Sequence, residues 1–201
     1  MTEKNTEQEL EELFTTLLSK VPNIDLSDNN LVGTPKRMAR MYLDMFWGLD
    51  SSNEPRITVF SSENLYAPGM VGTGKIFFSS ICAHHLLPFT GHAHIFYVPR
   101  DKIIGLSKFT RIVSYFAARP QIQERLAAQI ADYIMKRTDA LGCYVVLKAT
   151  HSCMQCRGVR QERSAMVTPV IRPSTVEGTP YGPFADTAAR EEALHLMDDS
   201  L

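Results

Sequence analysis

Strand-like and helical periods alternate in blocks along this chain, and that blockwise order restricts the fold more than any other feature. "RITVF" (56–60) and "KIFFSSI" (75–81) read as strands separated by a Gly/Pro-containing loop at 67–74, and "HAHIFYVP" (92–99) alternates apolar and polar residues as a third. "IIGLSKFTRIVSYFAARP" then returns to helix, with Ser107 able to cap it and Phe109, Ile112, Val113 and Phe116 on one face. Pro120 interrupts. "QIQERLAAQIADYIMKRTDALG" predicts a longer helix with Ile122, Leu126, Ile130, Tyr133 and Ile134 inward, closed by Gly142. "CYVVLKATH" and "SAMVTPVI" are strands again. Strands grouped on either side of a helix pair argue for an α+β fold with antiparallel pairing, not an alternating βαβ fold.

Two helices precede these blocks. Leu10, Leu13, Phe14, Leu17 and Leu18 repeat at helical spacing. After the linker "VPNIDLSDNN", "TPKRMARMYLDMFWGL" begins with Thr34 as an N-cap and Pro35 at the first helical position, and Gly48 can end it. Its stripe of Met38, Met41, Tyr42, Met45 and Phe46 reads as core or subunit packing. "RPSTVEGTPYGP" predicts a loop and "TAAREEALHLM" a short terminal helix. The expected organisation is an N-terminal helical region over 1–50, a catalytic domain over 51–172, and a Pro/Gly-rich loop with the final helix over 173–201.

Composition narrows the functional classes. A net charge of -1 gives no reason to expect nucleic acid or an acidic membrane as partner. No apolar run has the length of a membrane span, and "MTEKNTEQELEEL" is too acidic and polar for a signal peptide. Four cysteines in 201 residues do not resemble a secreted disulfide framework, so a cytoplasmic setting is expected, where cysteines serve metal or catalysis.

The chemistry concentrates in two stretches. "SSICAHHLLPFTGHAHIFYVP" carries Cys82, His84, His85, His92 and His94, four of the six histidines. A thiolate and an imidazole at Cys82 and His85, in a turn after a strand, can share one metal ion, and zinc takes such ligands tetrahedrally. "HSCMQCRG" supplies His151, Cys153 and Cys156. If both cysteines bind, the site is closed and structural. If one binds, an open position remains for water, as in a catalytic site. Cys153 and Cys156 could also form a redox pair, although no strand-to-helix context supports one. Cys143, at the head of an apolar strand, reads as a small buried hydrophobe.

Basic pairs form a second signal. Lys108 and Arg111 sit near the start of a helix, where backbone N–H groups also favour anions. Arg157 and Arg160 follow the cysteine stretch, and Arg37 and Arg40 share a helix face. Each pair alone is ordinarily a solvated surface. Beside a metal site they fit a polyanionic small molecule, because Arg forks match phosphate oxygens. No G-x-x-x-x-G-K-[ST] is present, so a nucleotide would not be held by a P-loop. Gln123 and Glu124 open a helix. Their plain reading is polar side chains solvated on a helix, and the sharper one is purine recognition, since a carboxylate accepts from a ring N–H and an exocyclic amine together, which guanine offers.

Taken together, "TPKRMARMY", "CAHHLLPFTGHAHIFYVP", "IIGLSKFTRIVSYFAARPQIQERL" and "THSCMQCRGV" resemble GTP cyclohydrolase I over roughly residues 31–168, in that family's order. The resemblance implies the tunnelling fold (T-fold) and a homodecamer of two pentamers with active sites between subunits. It implies zinc-dependent hydrolysis and rearrangement of GTP to 7,8-dihydroneopterin triphosphate with release of formate. Cys82, His85 and Cys153 match its zinc ligands, and His84 and His151 its catalytic histidines. Ser107 matches a serine at the substrate sugar. Lys108, Arg111 and Arg157 match triphosphate contacts, Arg37 and Arg40 match basic residues lent by a neighbouring subunit, and Gln123 and Glu124 match the guanine readers. His92 and His94 are left without chemistry by this match. Ala83 departs from the acidic residue usual between the ligand cysteine and the histidine pair, and a divergent or inactive nucleotide-binding T-fold protein is the alternative.

Overall fold

The computed structural model describes residues 3–61, 69–176 and 179–199. The chain divides into one compact unit ending at Trp47 and a second beginning at Gly48. In the first unit, α1 (Glu3–Ser19) and α2 (Thr34–Met45) pack together, with Phe14 stacked on Tyr42 at a centroid distance of 5.3 Å. The cap of α2 is Gly33, not Thr34 as expected. With φ 77, Gly33 turns the chain through the left-handed region open to a residue without Cβ. Thr34 Oγ1 instead accepts a 2.6 Å hydrogen bond from Arg37 Nη2. Gly48 does not end α2 either; the helix stops at Met45 with Phe46 as its C-cap.

The second unit is built on a mixed sheet. Its strands are β1 (Val59–Ser61), β2 (Val71–Cys82), β3 (Pro88–Val98), β4 (Lys102–Ile104), β5 (Pro120–Gln121), β6 (Gly142–His151), β7 (Ala165–Val176) and β8 (Thr179–Tyr181). The helices α3 (Leu106–Ala117) and α4 (Gln123–Thr138) lie between β4 and β6 in sequence; α5 (Ser152–Gln155) follows β6, and α6 (Ala188–Asp199) ends the described chain. β5, β2, β3, β6, β7 and β8 form one six-stranded sheet in that spatial order, while β1 and β4 pair separately. The contacts β2–β3, β3–β6 and β6–β7 are antiparallel, and among the described residues only β2–β5 is parallel. Strand pair, helix pair, strand pair is the tunnelling-fold order.

Period-two alternation divides the sheet's residues between two cores. Ala93, Ile95 and Tyr97 on β3 and Val145, Leu147 and Ala149 on β6 pack with Phe109, Ile112, Leu126, Ile130 and Ile134 of α3 and α4. Each such large side chain, fully buried, contributes about 1.5–3 kcal/mol. The alternate residues Phe96, Val98, Tyr144 and Val146 join Phe184 and Ala193 in a smaller cluster.

Several local expectations are corrected. Ser107 lies inside α3, whose cap is Gly105, because Ile103 and Ile104 are drawn into β4 against β1. Helix α4 stops at Thr138, where Asp139 adopts the left-handed conformation, and Gly142 opens β6 instead of closing the helix. The loop expected over 67–74 is already strand from Val71, and residues 67 and 68 lie outside the described residues. The Pro-rich segment from Arg172 continues β7 to Val176 and turns back as β8, pairing Ser174 with Tyr181 and Thr175 with Pro180. Proline lowers strand expectation because it cannot donate to a ladder, and here pairing with β6 and β8 overrides it.

Candidate active site and metal centre

The β2–β3 turn presents the histidine pair. Cys82 N–H donates to Leu87 O at 2.8 Å and Leu86 N–H to Cys82 O at 2.9 Å, closing a short loop with Leu86 at φ 53. Ala83 N–H donates to Gln121 O at 2.8 Å, which ties the loop to β5. Gln121 is itself fully buried, its amide donating to Phe116 O and Gln129 Oε1. The turn is thereby anchored to the helix pair beneath it. His84 and His85 project from it and are exposed.

At the same end of the sheet, Phe89 of β3 pairs with His151 of β6, and α5 begins at the next residue. This carries Cys153 to the turn. The donor atoms of Cys82, His85 and Cys153 all lie within 4.8 Å of one another, although Cys153 is 71 residues from Cys82 in the chain. The two sulfurs are 3.9 Å apart, and His84 Nδ1 is 3.7 Å from Cys82 Sγ. Burial and the adjacent Cys82 sulfur push the Cys153 thiol up, while the Arg157 guanidinium pulls it down. Two sulfurs and an imidazole converging on one point are the soft and borderline donors that zinc takes. Cys156 is exposed and is not a member of this group.

His151 is held quite differently. Its ring stacks on Phe89 at 4.5 Å and 3°, and its Nε2 is 2.9 Å from Gln123 Oε1. Gln123 is 1% exposed, and both of its amide hydrogens are committed, to Leu147 O at 3.1 Å and Met166 O at 3.0 Å. Its oxygen can therefore only be the end facing His151, so His151 donates from Nε2 and keeps a lone pair on Nδ1. Burial pushes the His151 pKa down, and the Glu124 carboxylate pulls it the other way. The chain thus stations a neutral imidazole of fixed tautomer beside the metal-binding group.

The Gln123 side chain, expected to face a purine, is turned inward onto His151. Glu124, exposed one residue later, is the member of the pair left facing outward. Ser107 and Arg111 are exposed on the first turns of α3 with Lys108 half-buried between them, and Arg157 is exposed beyond α5. Arg37 and Arg40 belong to the first unit. There Arg37 also reaches Asn30 O, and Arg40 pairs with Glu7 at 2.8 Å. Phe89 and Gln121 escaped the sequence reading. Nothing marks an apolar residue after "HHLLP" as the wall of a histidine, or a glutamine after Pro120 as a buried anchor, until the strands are aligned.

The comparisons with known proteins agree with one another. A family profile described as GTP cyclohydrolase I matches residues 10–196. The GTP cyclohydrolase 1 of Pelotomaculum thermopropionicum is 49% identical over 170 residues, covering 83% of this chain and 84% of that protein. The GTP cyclohydrolase 1 of Brevibacillus brevis is 42% identical over 176 residues, covering 86% and 88%. The GTP cyclohydrolase 1 2 of Pseudomonas aeruginosa is 40% identical over 191 residues, covering 94% and 98%.

Proposed function

The chain belongs to the GTP cyclohydrolase I family, and from that premise we propose that it opens the purine of GTP by hydrolysis, releases formate and closes the remainder to 7,8-dihydroneopterin triphosphate. The observation that carries this reading is the convergence of Cys82, His85 and Cys153 between two differently held histidines.

Cys82, His85 and Cys153 would hold zinc. When bound there, the ion supplies Lewis acidity towards water at the reacting purine carbon. His84, with Nδ1 beside Cys82 Sγ, keeps Nε2 for the substrate and delivers a proton to N7 as water adds at C8. The imidazole ring opens, and a second hydrolysis releases the carbon as formate. His151 then takes and returns protons through Nδ1 as the sugar opens and rearranges, with Ser107 hydrogen-bonded to a sugar hydroxyl. Ring closure expels one water, so the sum consumes one water per GTP.

Glu124 accepts the ring N–H and amine of guanine, while Gln123 acts on the reaction through His151. Lys108, Arg111 and Arg157 bind the triphosphate, with Arg37 and Arg40 contributed by a neighbouring subunit. The triphosphate is never attacked; its binding energy holds the purine in place. On this reading the protein works as a homodecamer of two pentamers in the cytoplasm. No described helix is long and apolar enough to cross a membrane.

The test is incubation of zinc-loaded protein with a panel of nucleoside triphosphates, followed by mass spectrometry and a formate assay. Formate and dihydroneopterin triphosphate from GTP alone are expected. Tight GTP binding without formate would overturn the reading in favour of a non-catalytic nucleotide-binding protein, which Ala83, where the family usually carries an acid, favours.

A further inference from the structure

His92 and His94 play no part in the chemistry above, yet they are not scattered surface residues. They lie on the sheet face turned away from the metal centre's supporting helices. There, Lys75, His92, His94, Val146, Lys148, Val167 and Met197 line a groove of about 430 Å³. Four of these residues carry basic side chains, and none of the seven carries a carboxylate. A groove of this volume falls within the range of small-molecule sites.

The fold builds this cluster. In the β3–β6 ladder His92 stands directly opposite Lys148, and His94 opposite Val146. Lys75 arrives by another route. Between Thr73 and Ile76 the β2 register slips against β3, so that Gly74 and Lys75 both face His94 across the ladder. Lys75 takes φ 52 there, a backbone conformation that a side-chain-bearing residue adopts at a cost. A Cβ on Gly74 would sit 2.9 Å from His94 Nδ1, so the bulge needs glycine to leave room for that ring. Bulges re-aim a side chain, and strained residues gather at ligand clamps. An isolated exposed lysine is simply solvated. The bulge instead places Lys75 in one groove with His92, His94 and Lys148, where an anion would meet several donors at once. The His92 ring is further oriented by Phe77, edge-on at 5.9 Å.

We propose that this groove is a second anion site, separate from the catalytic one, for a compact polyanion bearing two or more phosphate groups. Lys75 and Lys148 supply the charge, and His92 supplies a ring N–H donor. Val146, Val167 and Met197 offer an apolar wall that would accept a planar heterocycle attached to those phosphates. The groove stands without the catalytic reading, and only the count of two binding events in its test rests on that reading.

Isothermal titration of the zinc-loaded full chain with inorganic tripolyphosphate tests it. Wild type should show two binding events per chain. Lys75→Met with Lys148→Met keeps the aliphatic stems and should remove one event, weakening it by about a hundredfold, roughly tenfold for each charged contact. GTP turnover should be unchanged in that variant. Arg157→Ala should weaken the other event, and its failure to do so would speak against the catalytic assignment of Arg157 only. Unchanged stoichiometry and affinity in the double lysine variant would overturn the proposal. Titrating ATP into Arg157→Ala separates the sources of phosphate: ATP binding more tightly than tripolyphosphate identifies a nucleotide-type ligand, and equal binding identifies inorganic polyphosphate. Resonance shifts of His92 and His94 on adding tripolyphosphate, absent from the double variant, are the second expected readout.

Discussion

The two halves of the site are prepared in opposite ways. Around Cys82, His85 and Cys153 the protein gathers donors from the end of β2, the turn after it and a four-residue helix, and two sulfurs sit 3.9 Å apart. That half offers three donor atoms that a metal ion could hold together. Around His151 the protein itself supplies everything: a stacked ring, one acceptor, and a glutamine whose own orientation is set by two carbonyls. The difference teaches that a group able to hold a metal needs only suitable donor atoms brought close, whereas a ring nitrogen's role is fixed by the hydrogen-bond partner that the fold supplies.

The comparison breaks most sharply at Cys153. Replacement by Ala should abolish both zinc retention, read by atomic absorption, and turnover; retained zinc with full activity would move the ligand role to Cys156. Gln123→Leu attacks the other half. Turnover should fall about a hundredfold with KM little changed, the effect of losing a positioned acid–base group. Zinc content should stay at the wild-type level, and a parallel loss of zinc would show that the halves are not independent. The same change strands Leu147 O, Met166 O and the His151 N–H, at about 1–3 kcal/mol of stability for each group left unsatisfied, measurable by denaturant titration.

Phe89→Leu should be gentler, costing about 1–2 kcal/mol through lost packing, with a modest loss of turnover as the His151 ring gains freedom. Cys156→Ser is the smallest. With Cys156 exposed and outside the donor group, zinc stoichiometry and rate should be unchanged. Loss of zinc in that variant would make the site a closed four-ligand centre.

Much of the architecture was legible along the chain. Blocks of alternating and helical period predicted paired strands around a helix pair, because those periods are local consequences of backbone geometry. Boundaries were less legible. Ser107 and Thr34 looked like caps, but Gly105 and Gly33 hold those places, since β4 pairing and a left-handed turn set where each helix begins. The extent of β7 was hidden by its prolines until pairing with β6 and β8 outweighed them.

By itself the sequence determined the donor types, their grouping into two stretches, and the family resemblance carried by four motifs. These depend on residue identity and short spacing, which need no third dimension. Only the tertiary structure showed that Cys153 comes within reach of Cys82 and His85 while Cys156 stays outside the group, that Gln123 turns inward onto His151, and that a bulge brings Lys75 to His92, His94 and Lys148. Each of those is a contact between distant strands. Register and the inward or outward sense of a side chain are set by the packing of the whole sheet, where a shift of one residue would send every side chain to the other face.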